Sequence, residues 1–276
     1  IAAAWLRIRT VVVFQLAPQK IAIGSLKLKT YRWAHNRSQQ WAAVSKHNQA
    51  SLCRTFGLAP KEVAVIYNGV SLPQAAAAET AKTKLREELG VLPDEAMVLT
   101  IARLDPLKGH EILVPAIAKI VKKHPRVKFF WIGDGTLRSA LQNLVVSYGL
   151  LGKVVFSGFR TDVADLLDAA QLFVHPSERE GFSFAILEAM AHKVPIVAAD
   201  STSIPEVIEN QVHGLLFRSG DSCDLLEKID WALSNNQAMQ EMAERAYVHV
   251  MKFPEKEMIE HHLHFLQRHE LAQTTS

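Results

Sequence analysis

The chain has 276 residues, 49% of them hydrophobic and 21% charged, with a formal net charge of +3. That composition fits one large or two medium globular domains and excludes a low-complexity or disordered polymer. No stretch approaches the ~20 apolar residues that cross a bilayer, and two widely separated cysteines, Cys53 and Cys223, make neither a disulfide framework nor a zinc knot, so a cytoplasmic setting is expected.

The charge is uneven. Residues 1–70 hold ten Lys/Arg and one acid, Glu62, against twenty-one Lys/Arg and twenty-seven acids in residues 71–276. Such a segment suits one basic face of a larger domain, or a peripheral contact with an anionic membrane at its inner face. No nucleic-acid partner is expected, since no recognition motif accompanies the charge. The chain opens on Ile with no signal-peptide layout, which reads as an N-terminally truncated sequence.

In chain order, residues 1–9 read as the tail of a helix and 10–15, Thr-Val-Val-Val-Phe-Gln, as a buried parallel-type strand. A basic, mostly helical connection over 20–36 leads to a short strand at 41–45, where Ser45 is placed to cap a helix running to about Phe56. A third strand at 63–67 stops at Asn68-Gly69, a turn signal. This alternation is half of a doubly wound α/β domain. An alanine run and an acidic–basic helix at 79–89 lead into a more regular stretch. Strands are expected at 97–102, 127–132, 154–157, 172–174, 195–199 and 214–217, with helices at 109–124, 137–148, 162–169 and 182–192. Ser203-x-x-Glu206 has capping-box spacing, with Pro205 in its first turn, and predicts a short helix. Helices near 223–233 and 238–250 follow, and Pro254 precedes a final amphipathic helix at 256–269. No internal repeat is present.

The chemically distinctive stretch is 174–192. His175 sits at a buried strand end and reads as structural, and Gly181 allows a tight approach to the helix. Glu180 lies just before that helix and Glu188 two turns inside it, among apolar neighbours where a carboxylate needs donors. The backbone at Phe182 and Ser183 offers free N–H groups at the positive end of the helix dipole. On local physics alone the two carboxylates serve equally well as a dipole complement and a structural salt bridge. Earlier, Arg103 ends a strand and Lys108-Gly109 opens the next helix. Both cations lie where ligands bind in open α/β sheets, and they suit a diphosphate or a surface pairing with Asp105. Gly133-Asp134-Gly135 is a strand-to-helix turn, and Gly158-Phe159-Arg160 follows another strand. His261, His262, His264 and His269 lack a carboxylate cage and read as a solvated face rather than a metal site.

Glu180-x7-Glu188 stands within Pro-Ser-x-x-Glu-Gly-Phe-Ser-x-x-x-Leu-Glu-Ala-Met-Ala, which resembles the signature of retaining, nucleotide-sugar-dependent glycosyltransferases of family 4. The resemblance extends over residues 31–270 and implies an α/β, GT-B fold: two Rossmann-like, doubly wound parallel-sheet domains, the N-terminal one incomplete. It divides the chain into a partial acceptor-side domain (1–70), a donor-binding domain (71–252) and a C-terminal helix returning to the first domain (253–276). It implies transfer of a hexose from a UDP- or GDP-sugar to an acceptor hydroxyl on a carbohydrate or lipid-linked partner, in polysaccharide or glycolipid synthesis. The nucleoside diphosphate sugar is a co-substrate, and no further cofactor is implied.

By the same resemblance, Glu180 accepts from a donor-sugar hydroxyl, and Arg103 and Lys108 meet the diphosphate. Glu188 accepts from the ribose hydroxyls, while the backbone at Gly181, Phe182, Ser183 and Phe184 meets sugar and phosphate. Gly133 lines the nucleotide cleft and the Phe159–Arg160 loop faces the base, with the Arg160 side chain itself solvated. No Asp-x-Asp motif is present, so no metal is expected, the two cations and the helix end replacing its charge. Two departures stand out: Gln15 occupies the strand end where the family carries a His, and the family's early glycine-rich loop is not in the sequence. They support a rival reading, a truncated, non-catalytic nucleotide-sugar-binding remnant. A GT-B epimerase is a second rival, against which the Glu-x7-Glu string argues; a phosphorylase would need a lysine-held pyridoxal site that is not found.

Overall fold

The computed structural model describes residues 10–14, 39–73 and 78–271; the expected helices at 1–9 and 20–36, and Gln15, lie outside them. The chain divides into two compact units. One comprises Ile1–Gly69, Glu180–Ser183 and Phe253–Ser276, the other Val70–Arg179 and Phe184–Lys252.

In the first unit, strands β1 (Thr10–Phe14), β2 (Gln39–Ala43) and β3 (Val63–Val65) pair in parallel in that order. Helix α1 (Lys46–Phe56) connects β2 to β3 and closes a small core of Trp41, Ala43, Leu52, Phe56, Leu58 and Val63. Its start follows the expected cap: Ser45 is extended (φ −157°) and its Oγ accepts from the Asn48 N–H at 3.1 Å. Its end is a left-handed Gly57, whose N–H donates to Cys53 O at 2.8 Å.

The second unit opens with α2 (Glu79–Glu88) and then alternates: β4 (Ala96–Ile101), α3 (His110–Lys123), β5 (Val127–Ile132), α4 (Arg138–Ser147), β6 (Val154–Gly158), α5 (Val163–Ala169), β7 (Leu172–His175), α6 (Phe184–Ala191), β8 (Ile196–Asp200) and β9 (Leu215–Arg218). Helices α7 (Ser222–Ser234) and α8 (Asn236–Val250) follow. Consecutive residues Met97, Val98 and Leu99 of β4, and Phe129, Phe130 and Trp131 of β5, are all fully buried. Both sheet faces are therefore covered, as the unbroken apolar runs require of parallel strands. Among the described residues the sheet order is β6-β5-β4-β7-β8-β9. The chain winds outward from β4 through β5 and β6, then returns to β7 beside β4, where Val98 and Leu99 pair with Leu172 and Phe173. This is the doubly wound order, and its switch point lies between β4 and β7.

Two local expectations are corrected. The helix expected at 182–192 is α6, Phe184–Ala191; Phe182 and Ser183 precede it. The Ser203-x-x-Glu206 string forms only a 3-10 turn, Ile204–Glu206, with Ser203 in helical rather than extended backbone. Glu206 N and Val207 N donate to Ser203 O and Ile204 O, at 3.0 and 2.9 Å, the i→i+3 pattern of a single 3-10 turn.

The first unit ends in α9 (Glu255–Leu271). Gly69 fixes its start: the Gly69 N–H donates to Met258 Sδ at 3.1 Å, and a Cβ on Gly69 would stand 2.5 Å from Pro254 O. His262 Nδ1 donates to Met258 O at 2.8 Å. Among the described residues, no helix is long and apolar enough to cross a membrane.

Candidate functional site

At the switch point, the loops that follow β4, β5 and β7 pack backbone on backbone. Gly133, at φ 127°, lies so close to β4 that a Cβ would stand 2.2 Å from Ala102 O. Gly109, at φ 75°, would bring a Cβ to 2.0 Å from Pro176 O. Only glycine meets both demands, a left-handed backbone and no side chain. Hydrogen bonds lock the same loops: Glu178 N and Ser177 Oγ both donate to Leu107 O, at 2.8 and 3.2 Å, and Leu104 N donates to Asp134 O at 3.0 Å. Ser201 Oγ, beyond β8, donates to Ser177 O at 2.7 Å. The segment carrying Arg103 and Lys108 is thus clamped from both sides. Leu107 is held at φ 71° within it, a conformation costly for a non-glycine residue.

Arg103 pairs with Asp105 Oδ2, the surface pairing that its spacing allowed, yet its side chain stays 77% exposed. Asp105 Oδ1 accepts from both the N–H and Oγ1 of Thr136, each at 3.1 Å. Those bonds, the Thr136 amide first, hold the Asp105 carboxyl below its ordinary value. One face of the guanidinium is committed and the rest is open. Lys108 is half-buried and precedes Gly109, the N-cap of α3.

His110, the first residue of α3, is 1% exposed, and neither ring nitrogen has a hydrogen-bond partner among the described residues. Its ring stands edge-on to Trp131 at 5.0 Å. Burial first, then the nearby His175 and Lys108, lower its pKa to about 4. The unfolded chain, with an ordinary imidazole, therefore binds a proton between pH 6.5 and about 4 that the folded protein refuses. Stability should fall as pH drops through that window, by roughly 3 kcal/mol from this group. Urea denaturation at stepped pH checks it: His110→Phe should lose clearly less stability than the wild type on acidification. His213 and His249, also lowered by burial, act in the same direction in both proteins.

Glu180–Ser183 cluster with the first unit. Asn68 Nδ2 donates to Phe182 O at 2.7 Å, and the Phe182 ring packs on Tyr67 at 4.8 Å and Phe253 at 5.2 Å. Glu180, Gly181 and Ser183 are buried with it, while Phe184, opening α6, is exposed. Tyr67, Asn68 and Phe253 were given no role at this site from sequence, where Asn68-Gly69 reads as a turn.

In the second unit, Glu188 is half-buried on α6, and among the described residues its carboxylate has no hydrogen-bond donor. Burial pushes its pKa up and His192 draws it back. Beyond β6, Gly133 N donates to Gly158 O at 2.8 Å, which brings that loop beside the Gly133 turn. Phe159 is 82% exposed there. Arg160 is not solvated as expected: it is half-buried and pairs with Asp162, with Nε at 2.8 Å, because Asp162 stands two residues on at the start of α5. A cavity of about 670 Å³ lies at the opposite end of the sheet, lined among others by Arg86, Glu95, Asp168, Gln171, His192 and Asn236. None of the candidate residues lines it, so the chemistry is argued from the strand ends.

The class that this fold and these loops define is met in known proteins. Residues 81–249 match the family model "Glycosyl transferases group 1", and residues 1–74 match "Glycosyltransferase Family 4". The chain belongs to the glycosyl transferases group 1 family, and its fold is GT-B. An uncharacterized glycosyltransferase of Methanocaldococcus jannaschii is 34% identical over 182 residues, 64% of this chain and 46% of that protein. The N-acetyl-alpha-D-glucosaminyl L-malate synthase of Bacillus anthracis is 30% identical over 186 residues, 67% of this chain and 48% of that protein. The chain thus spans about half the length of the curated relatives it matches. Among solved structures, Anabaena HepE in complex with UDP-glucose superposes with a TM-score of 0.86 at 26% identity, covering 97% of this chain and 74% of that one.

Proposed function

We propose that the protein is a retaining glycosyltransferase that transfers a hexose from a nucleoside diphosphate sugar to an acceptor hydroxyl. The observation that carries the reading is the clamp at the switch point: the loop bearing Arg103 and Lys108 is fastened by Leu107 and Gly109 to the Pro176–Glu178 loop that leads into Glu180 and α6. Family membership and the likeness to a structure solved with UDP-glucose support the donor class.

In this reading, Arg103 and Lys108 take the charge of the diphosphate as the bond from its oxygen to the anomeric carbon breaks. The acceptor oxygen bonds to that carbon from the same face, and its proton passes to the departing phosphate oxygen, so no strong protein base is required. Glu180 accepts from a sugar hydroxyl, Glu188 from the ribose hydroxyls, and the backbone at 181–184 meets sugar and phosphate. Gly133 and the Phe159–Arg160 loop border the nucleotide, with Arg160 held by Asp162 instead of reaching a base. Charge neutralisation is assigned to the cations and the start of α6, with no metal or further cofactor. The acceptor is assigned to polysaccharide or glycolipid assembly, and the basic first segment to a peripheral contact with anionic membrane. Retention by anionic vesicles at low salt tests that last assignment.

Calorimetric titration of the chain with UDP- and GDP-sugars tests the donor reading. Glu188→Ala should weaken nucleotide binding roughly 100-fold, the worth of two hydrogen bonds to a charged acceptor. A folded chain that binds no nucleotide sugar would leave the non-catalytic remnant as the better reading.

A further inference from the structure

We propose that Asn68 is a positioning residue for the donor sugar: its side-chain amide, bonded to the Phe182 carbonyl, sets the Glu180–Ser183 segment that meets the sugar. The inference rests on the reading of Glu180, and of the backbone just after it, as groups that meet the sugar. It goes beyond that reading in assigning what holds them in place.

Glu180–Ser183 lie outside helix and strand, ahead of α6, yet all four residues are buried. A buried main-chain carbonyl with no ladder to join needs a donor from elsewhere. Phe182, only 3% exposed, has one far along the chain: Asn68 Nδ2 donates to Phe182 O at 2.7 Å. A carbonyl can only accept, so the nitrogen end of the Asn68 amide must face it.

The donor is itself held on both sides. Before it, the Tyr67 ring meets Phe182 at 4.8 Å and Phe253 at 5.6 Å, and those two rings meet each other at 5.2 Å. After it, Gly69 donates its N–H to Met258 Sδ and has no room for a Cβ beside Pro254 O. Asn68 is buried between these two anchors. Phe182 is thus gripped at its carbonyl by Asn68 and at its ring by Tyr67 and Phe253.

Only Gly181 separates Phe182 from Glu180, so their Cα atoms stand two rigid peptide planes apart. A shift of the Phe182 carbonyl therefore carries to the Glu180 carboxylate and to the backbone that opens α6. Arg103, Lys108 and Glu188, assigned to the diphosphate and ribose, belong to the second unit. The grip by Asn68 should therefore matter for the sugar and little for the rest of the nucleotide.

The test is calorimetric titration of the full chain with UDP-glucose and with UDP, alongside thermal melts. The variants are Asn68→Ser, which withdraws the donor, and Asn68→Asp, which sets a carboxylate oxygen against the carbonyl. Glu180→Gln and Leu52→Val accompany them. Leu52 is fully buried in the small core of the same unit, so its shortening costs stability without removing the Asn68 bond. Both Asn68 variants should weaken UDP-glucose about tenfold, with UDP within about threefold of wild type. Leu52→Val should leave the preference between the two ligands unchanged. If Asn68 served stability alone, its variants would melt lower and titrate like Leu52→Val. That outcome, or equal weakening of UDP and UDP-glucose in both Asn68 variants, overturns the inference; the Glu180 reading stands where Glu180→Gln still loses UDP-glucose selectively. Wild-type affinity for UDP-glucose in Glu180→Gln, or a folded wild type that binds neither ligand, overturns the donor-sugar reading itself, whatever Asn68 does.

Discussion

Lys108→Ala should lower turnover by about 10²–10³-fold, the usual cost of removing one group aimed at developing charge in the transition state. The side chain stands on the clamped loop after β4, immediately before the N-cap of α3. Its backbone is fixed by bonds from Ser177 and Glu178 to its neighbour Leu107, none of which involve the lysine side chain. Truncation should therefore leave the melting temperature nearly unchanged while turnover collapses. Steady-state rates with the nucleotide sugar selected by titration, alongside a thermal melt, read both. Glu180→Gln should abolish turnover similarly, since an amide in place of the carboxylate loses the charge that orders the sugar hydroxyl. Wild-type rates in either variant would remove these residues from the reaction.

Gly109→Ala should be the most damaging small substitution in the second unit, costing on the order of 3 kcal/mol or more. The left-handed backbone accounts for about 1 kcal/mol of this. The rest comes from a methyl placed 2.0 Å from Pro176 O, a main-chain atom that cannot step aside. Gly152→Ala is the control: it shares φ 75° but has nothing within 4 Å of the added carbon, so it should show the backbone cost alone. Urea denaturation of the two variants separates the terms. Equal losses would mean that the clamp between the loops after β4 and β7 yields easily, and the carrying observation for the donor site would go with it.

The strands were the most legible part of the fold. β5 is read from sequence with the bounds it has, Val127–Ile132, because a strand buried on both faces is an uninterrupted apolar run. The placement of Arg103, Lys108 and Gly133 just beyond strand ends was equally legible, since alternation alone puts them there. What was hidden depends on partners far along the chain. Nothing near Phe182 shows that its carbonyl is taken by Asn68, so apolar continuity draws α6 two residues too early. Gly109 reads as a cap, but its contact with Pro176 appears only once β4 and β7 are side by side. Arg160 erred the other way: the pairing with Asp162 is local, and a strand-end cation was read without its near neighbour.

The position of β4 in the sheet also sets the order in which the protein can be made. One edge of β4 is covered by β5, the next strand to be synthesised, but the other waits for Leu172 and Phe173. At ribosomal rates the intervening chain takes on the order of ten seconds to emerge. Over that interval a nascent chain holds at most the three parallel strands β4, β5 and β6, with the main-chain groups of Val98 and Leu99 unpaired, an edge with the features that recruit other chains. Fragments ending after β6 should therefore aggregate where the full chain does not, and slower growth or chaperone supply during translation should raise the yield of soluble protein.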